Sequence, residues 1–135
     1  MFMQFISGPV ADRDTFFKEG ARWYREIRPD AIGYAGGVWG VTSDGTGLAV
    51  ATFESEEAAE ANGAKPEQGE WWNAMEKAFT SVEFQDCTEV DEMRHGIDES
   101  AGFVQIIRSR AKDQDEARRT MTQDTDRILA ARPDI

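Results

Sequence analysis

The sequence is short of the residues that most often announce a chemistry. It has one cysteine, Cys87, and one histidine, His95. A lone cysteine cannot close an internal disulfide, which fits a reducing compartment. One cysteine and one histidine without matching spacing do not form a zinc site. Cys87 sits in an alternating pattern with no base beside it, so it reads as a structural thiol rather than an activated nucleophile. Cations are scarce as well: 15 Lys and Arg stand against 26 Asp and Glu, a formal charge of −11. Phosphate backbones are bound chiefly through Lys and Arg, so this balance argues against a nucleic-acid function and for solubility. The basic residues of Arg108–Arg110 and Arg118–Arg119 read as parts of a solvated helix and its flank. No apolar run approaches the roughly 18 to 20 residues of a membrane helix. The opening MFMQFISGPV has neither a positive n-region nor a sustained apolar h-region, so a cytoplasmic location without a signal peptide is expected.

What is present suits a globular domain. Hydrophobic residues make up 40% and charged residues 30% of the 135 positions, enough to bury a core without staples. Phe2–Ile6 reads as a strand broken by Gly8-Pro9. Asp12 is a plausible N-cap for a helix to about Ile27, with Phe16, Trp23, Tyr24 and Ile27 on one stripe and Pro29 as the stop. Ala31–Thr42 is a glycine-rich strand, and its glycines suggest a bulge or a close backbone approach. Asp44-Gly45 then signals a hairpin into a returning strand, Leu48–Phe53. Ser55 can cap a short helix to Asn62, with Gly63 as its stop. Pro66 opens a second helix carrying Trp71, Trp72, Met75 and Phe79. Val82–Val90 alternates as a strand with one wet face.

The order β-α-β-β-α-β over residues 1–90 is the split βαβ arrangement. The expected fold class is therefore α+β: a ferredoxin-like domain with a four-stranded antiparallel sheet, both helices on one face, followed by an extra β-α unit. The other face needs a cover, and a second copy is the natural one. Residues 91–101 read as a linker, and 102–135 as the strand and helix of an incomplete second repeat. Phe103–Ile107 parallels Phe2–Ile6, Asp113 and Asp115 parallel Asp12 and Asp14, and Arg132-Pro133-Asp134 parallels Arg28-Pro29-Asp30 after a three-residue shift. The partner expected is thus a second copy in a homodimer, or the remainder of a longer chain forming an intrachain pseudo-dimer.

With this element order, the segment Ala51-Thr52-Phe53-Glu54-Ser55-Glu56-Glu57-Ala58-Ala59 followed by Trp71-Trp72 resembles the antibiotic-biosynthesis-monooxygenase-like domains of the dimeric α+β barrel superfamily. The resemblance covers roughly residues 2 to 90. It implies a small-molecule-binding domain whose chemistry is cofactor-independent monooxygenation of a small aromatic compound. The alternative is a non-catalytic ligand-binding or assembly domain that pairs through its sheet face. No metal or organic cofactor is implied for the monooxygenase branch. The haem-degrading branch uses an Asn on the first strand and a ligating His near the second helix. Here Gln4 occupies the strand, His95 falls after the last strand, and Trp71 or Trp72 alone would match, so the haem reading loses its ligand.

The catalytic residues are not identifiable by spacing. The residues that could line a ligand pocket are Tyr34, Trp39, Trp71, Trp72, Asn73, Arg22, Tyr24 and His95. Trp71 and Trp72 point about 100° apart on a helix, so one is expected in the core and the other at a pocket edge or dimer contact. Tyr34 and Trp39 are separated by an odd number of residues, so strict alternation puts only one of them toward the helices.

Overall fold

The computed structural model describes residues 1–91 and 102–131. Two compact units divide the chain, Met1–Ala101 and Gly102–Ile135. The first contains strand β1 (Phe2–Pro9), helix α1 (Arg13–Arg22), strands β2 (Tyr34–Val41) and β3 (Thr46–Phe53), helices α2 (Glu56–Gly63) and α3 (Pro66–Met75), and strand β4 (Glu83–Cys87). The strands form one antiparallel sheet in the order β2-β3-β1-β4. This is the expected α+β, ferredoxin-like arrangement.

The ends of α1 follow from local chemistry. Asp12 accepts hydrogen bonds from the Thr15 backbone N–H (3.0 Å) and hydroxyl (2.8 Å), satisfying an N–H that the first helical turn leaves over. At the other end the helix becomes a π turn over Trp23–Ile27 and then a 3₁₀ turn, Arg28–Asp30. The change falls where the Glu19 carbonyl accepts a second donor, the Trp71 indole N–H at 2.8 Å. A side chain competing for the ladder is a common cause of such a break. The wider turn rotates the residues after it. Ile27 stays buried, whereas Tyr24, expected on the apolar stripe, is exposed.

Cross-strand registers set three rows on the sheet face under the helices: Phe2–Phe53–Tyr34, Gln4–Ala51–Gly37 and Ile6–Ala49–Trp39. Small residues, Ala51, Gly37 and Ala49, cluster in the middle of this face, and large ones surround them. Both Tyr34 and Trp39 belong to this face, which corrects the expectation that only one would. A β-bulge between Tyr34 and Gly36 inserts one residue, Ala35, and resets the alternation. Gly36 takes φ 145°, and its carbonyl accepts from Thr52 Oγ1 at 2.7 Å.

The core joins α1 to α3. Phe16 is buried at the centre, with Ile27, Trp71, Met75 and Ala78 packed around it. The Phe16 ring meets Phe17, Trp39 and Phe79 edge-on, at centroid distances of 5.5 to 5.7 Å. The β2–β3 hairpin turns through Gly45 at φ 89°, a left-handed conformation suited to glycine. Strand β4 is shorter than expected and lies at the sheet edge, pairing only with β1. Its residues Glu83–Asp86 are therefore exposed rather than alternating between wet and dry.

In the second unit helix α4 spans Gln114–Ala131. The strand expected over Phe103–Ile107 does not form there. A strand exists only by pairing, and the exposed Phe103 and Ile107 have no ladder in the described residues of this unit. Asp113 caps α4 through the Glu116 N–H at 2.9 Å. All of the expected linker except Asp91, and the Arg132-Pro133-Asp134 motif, lie outside the described residues.

Candidate functional site

The small residues in the middle of the sheet leave a space beneath the helices. A cavity of about 110 Å³ lies there, with Ala49, Ala51 and Gly37 in its floor. Its apolar walls come from both layers: Phe16 and Phe79 with the core, Tyr34 and Trp39 from β2, Trp71 and Trp72 from α3. Four of the residues expected at a pocket, Tyr34, Trp39, Trp71 and Trp72, are thus brought together. Trp71 is buried and Trp72 is half-buried, with their ring centroids 5.7 Å apart. Both tryptophans reach the cavity, where one of them was expected to be core alone.

Close packing positions these rings. A Cβ on Gly20 would lie 2.7 Å from the Trp39 ring, and a Cβ on Gly37 would lie 2.6 Å from the Tyr34 hydroxyl. Glycine at both positions lets a large aromatic side chain lie flat against the backbone. Tyr34 also touches Trp23 (4.9 Å) and Phe53 (5.7 Å), edge to face.

The remaining candidates lie elsewhere. Arg22 pairs with Glu19, Nε to Oε2 at 3.1 Å, and does not line the cavity. Tyr24 is 47% exposed and lies under the Arg28 guanidinium, 4.3 Å from its ring centroid. Asn73 is exposed on the outer side of α3. His95 lies outside the described residues.

Sequence reasoning missed three amides in the polar lining. Asn62, near the end of α2, is only 2% exposed and lines the cavity; its Oδ1 has no hydrogen-bond partner. Gln68 on α3 accepts the Trp23 indole N–H at 3.0 Å. Gln4 on β1 donates to Asp86 at 3.1 Å. Position in the sequence offered some signal: Gln4 is a polar residue at an inward position of a buried strand, and Asn62 sits beside a helix stop. Nothing local showed that the three converge. No Asp, Glu, Lys, Arg or His among the described residues lines the cavity. No group of three or more His, Cys, Asp or Glu side chains among the described residues is arranged to hold a metal.

No family model and no curated protein matches the chain. Solved structures do. A monooxygenase from the gene ActVA-Orf6 of Streptomyces coelicolor, solved with nanaomycin D, superposes with a TM-score of 0.56 at 20% identity, covering 67% of this chain and 88% of its own. SnoaB, a cofactor-independent oxygenase from Streptomyces nogalater, gives 0.57 at 16% identity over 67% and 95%. A structure described as an antibiotic biosynthesis monooxygenase gives 0.57 at 8% identity over 67% and 100%. The fold is that of antibiotic biosynthesis monooxygenase domains. At these identities the antibiotic biosynthesis monooxygenase fold is what is shared, and the chemistry must be argued from the cavity. No helix among the described residues is long and apolar enough to cross a membrane.

Proposed function

We propose that the cavity binds a small, uncharged aromatic compound and that the protein oxidises it as a cofactor-independent monooxygenase. The observation that carries this reading is Asn62: a buried amide with an unpartnered Oδ1, in a cavity otherwise walled by aromatic rings. Leaving a buried acceptor unpaired costs about 1–3 kcal/mol; Oδ1 is closed off as it stands, and a turn of the Asn62 side chain toward a ligand hydroxyl would recover that energy. An engineered cavity of about 150 Å³ takes benzene; the present cavity of about 110 Å³ restricts the ligand to no more than a single ring.

Oxidation without a cofactor uses O₂ as the oxidant, one atom entering the ring as a carbonyl oxygen and the other leaving as water with two hydrogens from the substrate; it needs a substrate able to form an anion, an apolar surround and hydrogen-bond donors for the developing oxyanion. The aromatic walls supply the apolar surround. The Gln68 NH₂ group supplies a donor, because its Oε1 is occupied by the Trp23 indole N–H. No carboxylate, imidazole or amine among the described lining residues can take the proton released in forming the anion, so it would pass to water and the ring must be acidic enough to release it there. Hydroxylated rings therefore fit this chemistry and plain hydrocarbons do not. A filled interior would have favoured a purely structural role, and the interior is not filled. Pairing with a second copy through the opposite sheet face belongs to the same reading.

Oxygen uptake by the metal-depleted protein with a panel of monocyclic hydroquinones tests the proposal. Uptake that depends on the protein and saturates with the ring compound is expected. Asn62→Ala should lower kcat/KM by about tenfold, the value of one hydrogen bond to the ligand hydroxyl. Saturable binding without oxygen uptake by any member would leave the non-catalytic binding domain as the correct reading.

A further inference from the structure

The amides of the cavity are held under different constraints. Asn62 Oδ1 is an acceptor awaiting a donor. Gln68 is the reverse. Its Oε1 is occupied by the Trp23 indole N–H at 3.0 Å, so the end left to hydrogen-bond a ligand is its NH₂ group. Trp23 is itself immobilised. It stands at the start of the π turn, with its ring 4.9 Å from Tyr34 and 6.2 Å from Trp71. An indole N–H can only donate, so it accepts no other orientation of the Gln68 amide. The π turn thus has a consequence for the site: it sets the residue that decides which end of Gln68 is offered.

The charge on the lining narrows the choice of ligand. An anion entering this cavity would lose its hydration with no cation among the described lining residues to replace it. A neutral hydrocarbon would leave both the Asn62 acceptor and the Gln68 donor unpaired.

We infer that the Trp23–Gln68 couple is a specificity device that selects an uncharged ring bearing a carbonyl acceptor, with a hydroxyl elsewhere on the ring donating to Asn62. This rests on the reading of the cavity as a small-aromatic site and deepens it. Gln68 touches the ligand, and Trp23 is a positioning residue that acts through Gln68. A site built to hydrogen-bond a substrate group discriminates strongly against the analogue that lacks it, because its own buried group is then left without a partner.

The test is calorimetric titration of the full chain with three monocyclic probes at neutral pH. 4-Hydroxyacetophenone carries the hydroxyl and the carbonyl, 4-ethylphenol lacks the carbonyl, and 4-hydroxybenzoate is an anion. The wild-type protein is expected to bind 4-hydroxyacetophenone about tenfold more tightly than 4-ethylphenol, the value of one well-placed hydrogen bond, and 4-hydroxybenzoate most weakly. Gln68→Met keeps the volume and removes the donor. Trp23→Phe keeps a ring and removes the N–H that orients Gln68. Both should bring the carbonyl preference down to about twofold or less while 4-ethylphenol affinity stays within about twofold of wild type, a pattern that a general loss of packing would not produce. A tenfold preference that survives Gln68→Met overturns the inference, and one that survives Trp23→Phe removes Trp23 from it. Loss of all binding in both Gln68→Met and Gln68→Leu would assign Gln68 to the shape of the cavity and also overturn it. If no probe binds the wild-type chain, the small-aromatic reading itself fails, an outcome distinct from binding without carbonyl preference.

Discussion

Gly20 and Trp39 show how single residues create the site. Gly20 lies on α1 facing the sheet, and the space that its missing side chain leaves is filled by the Trp39 indole. A methyl group there would come within 2.7 Å of two indole carbons and 2.9 Å of a third, closer than real carbon contacts allow. The indole also meets Phe16 and Phe17, with centroids at 5.7 and 5.5 Å, but it is 40% exposed and the clash is with its outer ring, so it can give way at a moderate cost. Gly20→Ala should destabilise the protein by about 1 kcal/mol, the low end of overpacking, because the exposed ring can shift and alanine is the better helix former. Denaturant titration measures it. Because the cost arises from one contact, it should largely vanish in a Trp39→Leu background, and a double-mutant cycle reads that coupling directly. An equal cost in both backgrounds would place the strain elsewhere. Asn62 and Gly20 also mark where reading the sequence stops. Helix periodicity shows that a glycine or an asparagine lies on an inward face, but not which ring from a strand nineteen residues away will lie against it.

At the scale of elements, most of the chain up to Cys87 was legible because its signals are local. Asp12, Ser55, Pro66 and Asp44-Gly45 each act within a few residues, and each begins or turns the element expected of it. The misreadings have non-local causes. The bulge at Ala35 is fixed by pairing with β3, and it moves Tyr34 to the face that alternation denied it. The π turn is tied to a donor from α3. The caps carry a prediction in pH. Hydrogen bonds from the Thr15 backbone and hydroxyl hold the Asp12 carboxyl below its ordinary value of 3.8. The Thr42 hydroxyl, then the Thr46 N–H, do the same for Asp44 in the hairpin. A carboxyl depressed in the folded state contributes stability that is fully present above its unfolded pKa and is lost as pH falls through its folded pKa. Asp12→Ala and Asp44→Ala should therefore unfold at lower temperature than wild type at pH 7, with the gap closing below pH 3.8. Thermal melts across that range decide it; a gap that stays constant into strong acid would show that the carboxylate charge is not what the caps use. Asp113 repeats the geometry of Asp12 at the start of α4. That shared cap supports the proposal that residues 102–135 derive from an internal repeat.

At the scale of the whole molecule the proposal gives the two faces of the sheet separate tasks. The pleat that sends Gln4, Ala49 and Ala51 toward the cavity sends Met3, Leu48 and Val50 to the other side, with Val38 of β2 beside Val50; these four are half-buried, while Phe5, Ser7 and Thr52 on the same side are already buried within the chain. Apolar residues at successive outward positions of neighbouring strands are the pattern of a face meant to be covered. The proposed cover is a second copy of the chain, and the two-faced design makes it testable without touching the ligand site. Sedimentation equilibrium should give about twice the 15.1 kDa of one chain. Leu48→Glu places a charge in the middle of that face, where burying it unpaired costs several times the roughly 1.5–3 kcal/mol that a buried leucine contributes. This variant should sediment as a monomer with unchanged far-ultraviolet circular dichroism. Its affinity for 4-hydroxyacetophenone should fall by no more than about threefold, since Gln68, Asn62 and the aromatic walls lie on the helix side of the sheet. A wild-type chain that stays monomeric at high concentration would remove the second copy from the proposal. A dimeric Leu48→Glu variant would move the contact to another surface. Monomerisation that abolished binding would mean that the cavity is completed across the dimer axis.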